Sequence, residues 1–319
     1  MALWSTQDDV MLLSGRPPTA DHPNPRTRPA VRQNERMTIE ARSYVDAEGV
    51  RIHFDVYSAQ NPRGVVQLVH GVGEHAGRYG HVAGALTDAG FTVYAADQRG
   101  HGRTGMEQHG GDATQLGRLG PGGLRATIRT ASQLTGIIRD ENPDSPVVLL
   151  GHSWGSFVAQ IMLNRHASDF AAAVLTGTVY RWPGYMYSGP LNKRHQHLGT
   201  TGAEWLSRDA AVSQAFFDDP LTTNESLQKL FGLTDAARLL GRPSPEMADV
   251  PILIQVGSDD ILGAERSALK LVDAYRRRAG ITDIELIVYE GARHEVFNET
   301  NRDEVLADTV GWLSERIPA

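Results

Sequence analysis

The feature that most constrains the fold is a regular alternation of β-branched runs with helical stretches. Strand-like runs occupy residues 65–69, 91–95, 147–150, 171–175, 251–256 and 284–289, and helical patterns occupy 81–89, 124–138, 155–165, 264–277 and 302–317. Strands that alternate with helices are joined by right-handed crossovers and form a mostly parallel sheet covered on both faces. The chain is therefore predicted to adopt an α/β fold.

Two further strand-like runs precede this pattern. Residues 41–45 and 50–57 flank the segment Asp46-Ala47-Glu48-Gly49, whose composition is typical of a turn. They predict a hairpin that opens the domain and brings the sheet to eight strands.

The alternation breaks at residues 178–249, where no strand-like run occurs but aromatic residues and prolines do. Helical patterns are visible within it at 211–217 and 227–240. Insertions at the carboxyl end of a parallel sheet are where ligands bind, so we interpret the segment as a cap over a substrate pocket. The candidate pocket residues are Tyr180, Trp182, Tyr185 and Tyr187. The alternative is a helical excursion that only covers the edge of the sheet.

The predicted domain organisation follows from these patterns. Residues 1–36 are rich in proline, which leaves few backbone donors for regular structure, so we expect a disordered tail. Met37 directly precedes the first patterned segment and is a second candidate start. The core is then formed by 37–177 and 250–319, and the cap by 178–249.

Composition excludes several classes of partner. The formal net charge of −7 argues against nucleic acid, which needs a basic surface to neutralise phosphates. No apolar stretch approaches the roughly 20 residues that span a bilayer, and no secretory signal pattern is present. We expect a soluble, cytoplasmic protein without a transmembrane segment, and peripheral membrane contact through the cap stays open.

No metal or other cofactor is expected. The chain has no cysteine, so neither a disulfide nor a thiolate site can form. Four histidines, His70, His75, His101 and His152, are scattered over three loops without the spacing or adjacent carboxylates of a metal site.

The segment Gly151-His152-Ser153-Trp154-Gly155 carries the strongest chemical signal. A buried strand precedes it and a helical stretch follows it directly. In a Gly-x-Ser-x-Gly turn between strand and helix, the two glycines avoid clashes in a strained elbow and the serine hydroxyl is exposed above the sheet. Ser153 is therefore the candidate nucleophile.

A serine hydroxyl needs a base to take its proton and an acid to orient that base. Asp260 follows the strand-like run 251–256, and His294 follows 284–289. Both lie just past strand ends on the side of Ser153, in the chain order serine, acid, histidine that this arrangement requires. Asp259 is the alternative acid, since either aspartate could instead cap the following helix.

An oxyanion intermediate also needs two backbone N–H donors. One usually comes from the residue after the nucleophile and one from the loop after the third strand. Trp154 and Val72 meet these descriptions, and the glycines around Val72 let the backbone bend toward the substrate.

Four segments together resemble the monoacylglycerol lipase and lysophospholipase family of α/β-hydrolases, a serine aminopeptidase S33-type group. They are HGVGEHAGRY at 70–79, DQRGHG at 97–102, GHSWG at 151–155 and EGARHE at 290–295. The resemblance implies hydrolysis of a small-molecule carboxylic ester without a cofactor. It implies Ser153, Asp260 and His294 as the triad, with Val72 and Trp154 as oxyanion donors.

The chain departs from that family in ways that bear on the substrate. Family members commonly have alanine or phenylalanine at the position of Val72 and methionine at that of Trp154. Segment 191–197 is polar and basic, unlike the apolar membrane-docking helix of the animal lipases. The resemblance implies a monoacylglycerol, a lysophospholipid or a similar small or medium acyl ester, and these departures favour a smaller or more soluble one.

Two other functions stay open at this point. An amide or peptide hydrolase on the same scaffold would need a cap carboxylate to hold the amino group of its substrate. Glu204, Asp218 or Asp219 could serve. A catalytically silent binding module is the other alternative, and turnover of any chromogenic ester would distinguish it.

Overall fold

Eight strands form one sheet in the computed structural model, which describes residues 38–319. The sheet order is β1-β2-β4-β3-β5-β6-β7-β8. The strands are β1 (Thr38–Val45), β2 (Arg51–Ser58), β3 (Gly64–Val69), β4 (Phe91–Ala96), β5 (Val147–His152), β6 (Ala172–Thr176), β7 (Ile252–Gly257) and β8 (Ile284–Tyr289).

Only the first two strands depart from parallel pairing. β1 pairs antiparallel with β2, and β2 pairs antiparallel with β4, whereas every later pair is parallel. Every residue of β3 to β7 is buried, which is why these strands read as continuous apolar runs in the sequence.

Helices cover both faces of the sheet. They are α1 (Gly80–Asp88), α2 (Gly102–Gln108), α3 (Gly123–Glu141), α4 (Trp154–His166), α5 (Ala210–Asp218), α6 (Leu227–Arg238), α7 (Ala264–Ala274) and α8 (Arg302–Arg316). Apolar side chains of α1 and α8 pack on one face, and those of α3, α4 and α7 pack on the other. The predicted α/β fold is confirmed.

The structure differs from the predicted elements in three places. α2 has no counterpart among the predicted helices, because its seven residues include two glycines and give no clear helical pattern. α7 ends at Ala274 and continues as a π-helical turn to Ala279. α6 is broken at Gly232, whose φ of 71° and ψ of 173° are not helical.

The described residues between β6 and β7 contain no strand. Two α-helices, α5 and α6, lie in this stretch. We call residues 178–249 the cap segment. Its boundaries as a unit stay a prediction, and the predicted tail 1–36 lies outside the described residues. Within 38–319, no helix combines the length and apolar character needed to cross a membrane.

Candidate active site

The turn from β5 into α4 holds Ser153 in a strained conformation. Its φ of 51° and ψ of −123° lie in a region that non-glycine residues seldom adopt. The flanking glycines are sterically required, because a Cβ on Gly155 would lie 2.1 Å from the Val69 carbonyl oxygen and one on Gly151 would lie 2.7 Å from the Gly155 carbonyl oxygen. The elbow inferred from the sequence is therefore present as backbone geometry.

Three loops bring Ser153, His294 and Asp260 together. His294 Nε2 lies 2.8 Å from Ser153 Oγ, and His294 Nδ1 lies 2.9 Å from Asp260 Oδ2. All three side chains are buried. A carboxylate only accepts hydrogen bonds, so Nδ1 carries the proton and Nε2 is left to accept the proton of the serine.

The electrostatics of the pair make His294 a stronger base. Burial alone would lower the pKa of His294, but the charge and hydrogen bond of Asp260 outweigh burial and raise that pKa above its ordinary value. Burial raises the pKa of Asp260, whereas His294 and the Leu262 N–H lower it, and the net direction is downward. Asp260 is therefore held as a carboxylate that stabilises an imidazolium.

The alternative acid, Asp259, faces away from His294. Its carboxylate accepts hydrogen bonds from His195 Nε2 at 2.8 Å and is paired with Arg194 at 2.7 Å. Both partners belong to the cap segment, so Asp259 joins the cap segment to the loop that carries Asp260.

The predicted oxyanion donors flank Ser153. Trp154 follows Ser153 at the start of α4, and Val72 follows Gly71, whose own N–H donates to Glu74 Oε1 at 2.6 Å. Within residues 38–319, the N–H groups of Val72 and Trp154 have no hydrogen-bond acceptor. Two free backbone donors beside a serine nucleophile could stabilise an oxyanion.

A buried ion-pair network links the Val72 loop to the His294 loop. Arg78 binds Glu74 at 2.6 Å and both oxygens of Glu295 at 2.7 and 2.8 Å. Burial would raise the pKa of Glu295, but the charge of Arg78 outweighs it and holds that pKa at about 2. Because Glu295 directly follows His294, the network fixes the positions of the two loops relative to each other.

Three histidines near the site are kept neutral. Burial lowers the pKa of His70 and of His152 to about 4, and that of His101 to about 3. In the part of the chain that the structure describes, no group of three or more side chains is arranged to hold a metal ion.

The predicted pocket aromatics lie in the cap segment. Tyr180 packs edge-on against Tyr185, with ring centroids 5.4 Å apart. Trp182 is 39% exposed and lies under the Arg242 guanidinium. The Tyr187 N–H donates to the Leu262 carbonyl. None of these ring contacts reaches Ser153 or His294, so their role in a pocket stays a prediction.

Two aromatic residues that the sequence did not single out contact the site. Trp205 packs on His294 with ring centroids 4.8 Å apart, and Phe231 packs on Trp154 at 5.2 Å. Both belong to the cap segment, where the sequence pattern did not indicate which side chains would face the active site. The only available signal was that large aromatic residues recur there.

The three cap carboxylates considered for an amino group all have internal partners. Glu204 accepts hydrogen bonds from Thr201 and Asn192, Asp219 accepts one from His75, and Asp218 accepts one from Gln214. Burial raises the pKa of Glu204, but those hydrogen bonds and its own backbone outweigh burial and lower the pKa to about 2.

Comparison with known proteins gives consistent matches. The family described as serine aminopeptidase, S33, matches residues 60–301. The chain is 33% identical to a monoacylglycerol lipase of Mycolicibacterium smegmatis over 290 residues, covering 86% of this chain and 97% of the relative. It is 28% identical to the monoglyceride lipase of Mus musculus, covering 81% and 84%.

Solved structures share the fold. The carboxyl esterase of Bacillus coagulans, in complex with glycerol, superposes with a TM-score of 0.73 at 25% identity. The match covers 88% of this chain and all of the esterase chain.

Proposed function

Because this chain belongs to the serine aminopeptidase S33 family, we propose that it hydrolyses carboxylic esters through an acyl-enzyme on Ser153. Membership confirms the resemblance found in the sequence motifs. The observation that carries the proposal is the continuous path from Asp260 through His294 to Ser153 Oγ, with distances of 2.9 and 2.8 Å.

His294 acts as a base and then as an acid in each half-reaction. His294 Nε2 takes the hydroxyl proton as Ser153 Oγ attacks the ester carbonyl, and the Val72 and Trp154 N–H groups donate to the oxyanion. His294 then protonates the leaving alcohol. In the second half-reaction His294 takes a proton from water as the water oxygen attacks the acyl carbon, and it returns that proton to Ser153 Oγ as the bond to the acyl group breaks and the acid leaves. Asp260 orients the imidazole throughout.

The substrate class follows from the relatives and from the cap segment. Relatives named monoacylglycerol lipase or monoglyceride lipase match this chain over most of their own length. Large exposed apolar side chains in the described residues are concentrated in the cap segment: Trp182, Leu198, Phe217, Leu233 and Leu240. These exposed apolar side chains favour monoacylglycerols or related acyl esters presented at a lipid surface.

An amide or peptide substrate is the second candidate. Family membership alone allows it, since the S33 name refers to aminopeptidases. The internal hydrogen bonds of Glu204 and Asp219 disfavour it, because neither carboxylate is free to hold an amino group. Peptide recognition would then require breaking contacts that hold the cap segment together.

The test measures kcat/KM for p-nitrophenyl and monoacylglycerol esters from two to sixteen carbons, together with amino-acid p-nitroanilides. We expect ester turnover and covalent labelling by a fluorophosphonate. In Ser153→Ala both should be lost, on the order of 10⁶-fold in kcat.

Ser132→Ala is the matched control. Ser132 lies on α3, outside the loops that carry the three site residues, and the variant should keep full activity. Ester hydrolysis that survives in Ser153→Ala would refute the acyl-enzyme on Ser153. Anilide turnover faster than ester turnover would instead select the amide hydrolase.

A further inference from the structure

Trp205 covers the imidazole of His294 from the cap side. The two rings form a tilted stack with centroids 4.8 Å apart and planes at 35°. Trp205 is 9% exposed and His294 is 1% exposed. The indole is therefore a wall that separates the imidazole from solvent.

Backbone contacts hold Trp205 in that place. The Glu295 N–H donates to the Leu206 carbonyl at 2.7 Å, and the Arg293 guanidinium donates to the Glu204 carbonyl at 2.6 Å. On its other side, the Trp205 N–H donates to Asn192 Oδ1 at 3.0 Å. Residues 204–206 thus run along the His294 loop and are joined to it by hydrogen bonds.

Four titratable side chains lie close to His294, and three of them are charged. Asp260 accepts a hydrogen bond from His294 Nδ1, and the charges of Glu295 and Glu74 also act to raise the pKa of His294. Both glutamates are already paired with Arg78. The His152 ring lies 5.0 Å from the His294 ring and is kept neutral by burial, which lowers its pKa to about 4. Asp260 is therefore the one unshared negative charge among these neighbours.

We propose that Trp205 is a positioning residue that stabilises the imidazolium form of His294 during ester hydrolysis. A cation over an aromatic face within about 6 Å of its centroid is attracted by the ring electrons, and more strongly where water is excluded. In the proposed cycle His294 is positively charged while it holds the proton taken from Ser153 or, in the second half-reaction, the proton taken from water. The indole face acts on that state and leaves the neutral resting state nearly unaffected.

This inference rests on the proposed function, in which His294 is the base. The first experiment compares Trp205→Leu, which keeps an apolar side chain, with Trp205→Phe, which keeps an aromatic face. In Trp205→Leu we expect kcat to fall on the order of tenfold with little change in KM. We also expect the pKa of His294 to fall by about one unit.

Trp205→Phe should recover most of both effects. The pKa is read from the acidic limb of kcat/KM and, independently of any substrate, from NMR titration of the His294 ring. Ile39→Leu, at a 53% exposed position on β1, is the control and should change neither kcat nor the pKa of His294. A purely structural role would lower the number of sites labelled by fluorophosphonate and leave the pKa in place, which would overturn the proposal.

If Trp205→Leu does not fold, fluorinated tryptophans supply the test without removing the side chain. Each added fluorine weakens the attraction of the ring for a cation, so the His294 pKa should fall in steps along the series. An unchanged pKa across the series would refute the role of Trp205. Absence of ester turnover with a shifted NMR pKa would refute the proposed function alone.

Discussion

The ring of Phe231 lies against the indole of Trp154, with centroids 5.2 Å apart. Trp154 is fully buried, stacks on His101 on another side, and provides a proposed oxyanion donor. Phe231 is therefore a cap aromatic in direct contact with the residue that supplies one of the proposed oxyanion donors. Gly232, which breaks α6, follows it directly.

Phe231→Ala is expected to change acyl selectivity. Removing the ring opens space beside Trp154, and each methylene that this space buries adds about 0.8 kcal/mol. The acyl length at which kcat/KM is highest should move to longer chains, as measured with p-nitrophenyl esters of graded length. Trp182→Ala should shift it less, because Trp182 is partly exposed beneath Arg242. A larger shift in Trp182→Ala would instead support the pocket predicted from the sequence.

The two adjacent aspartates should differ sharply on substitution. Asp260→Asn removes the charge that holds His294 in the required tautomer and should lower kcat by roughly 10⁴-fold. Asp259→Asn loses only contacts to Arg194 and His195, so its effect should be far smaller. Steady-state measurement of kcat for both variants tests this assignment. A larger loss of kcat in Asp259→Asn than in Asp260→Asn would make Asp259 the acid of the triad.

Activity should depend on one ionisation between about pH 5 and 9. His294 acts as a base only when neutral, and Asp260 raises its pKa, so kcat/KM should fall as the pH drops through a value above about 6.5. His152, with a pKa of about 4, is already neutral in this range. A pH profile with two acidic ionisations above pH 5 would contradict this assignment.

A methyl group at Gly155 should destabilise the fold. The added Cβ would meet the Val69 carbonyl oxygen at 2.1 Å, so Gly155→Ala should lower the free energy of unfolding by about 1–3 kcal/mol or more. Gly136→Ala is the matched control on α3, where no neighbour lies within 4 Å, and should raise stability by about 0.5–1 kcal/mol. Urea denaturation measures both. Equal effects would show that the elbow tolerates a side chain.

Strands β3 to β7 were predictable because they are buried throughout and therefore appear in the sequence as nearly continuous apolar runs. β5 illustrates this, since all six of its residues are buried. The placement of Ser153, Asp260 and His294 followed from the same logic, because parallel strands end at one edge. Chain order then assigned their candidate roles without knowledge of any distance.

The cap contacts could not be predicted in the same way. Trp205 reaches His294 through a segment without regular structure, held by hydrogen bonds to loops distant in the sequence. The hydrophobic periodicity of a sequence does not indicate contacts between irregular segments of this kind. Likewise, Glu295 was visible only as a neighbour of His294, since its partner Arg78 lies 217 positions away.

The pairing of Leu206 with Glu295 sets a limit for engineering by segment exchange. A chimaera that replaced the whole of 178–249 with the cap of a relative would also replace the backbone against which the histidine loop is aligned. Residues 204–206 belong, by their contacts, to the part of the protein that has to be conserved in such a design. The exchangeable portion is better divided into two inserts, one on each side of this short stretch.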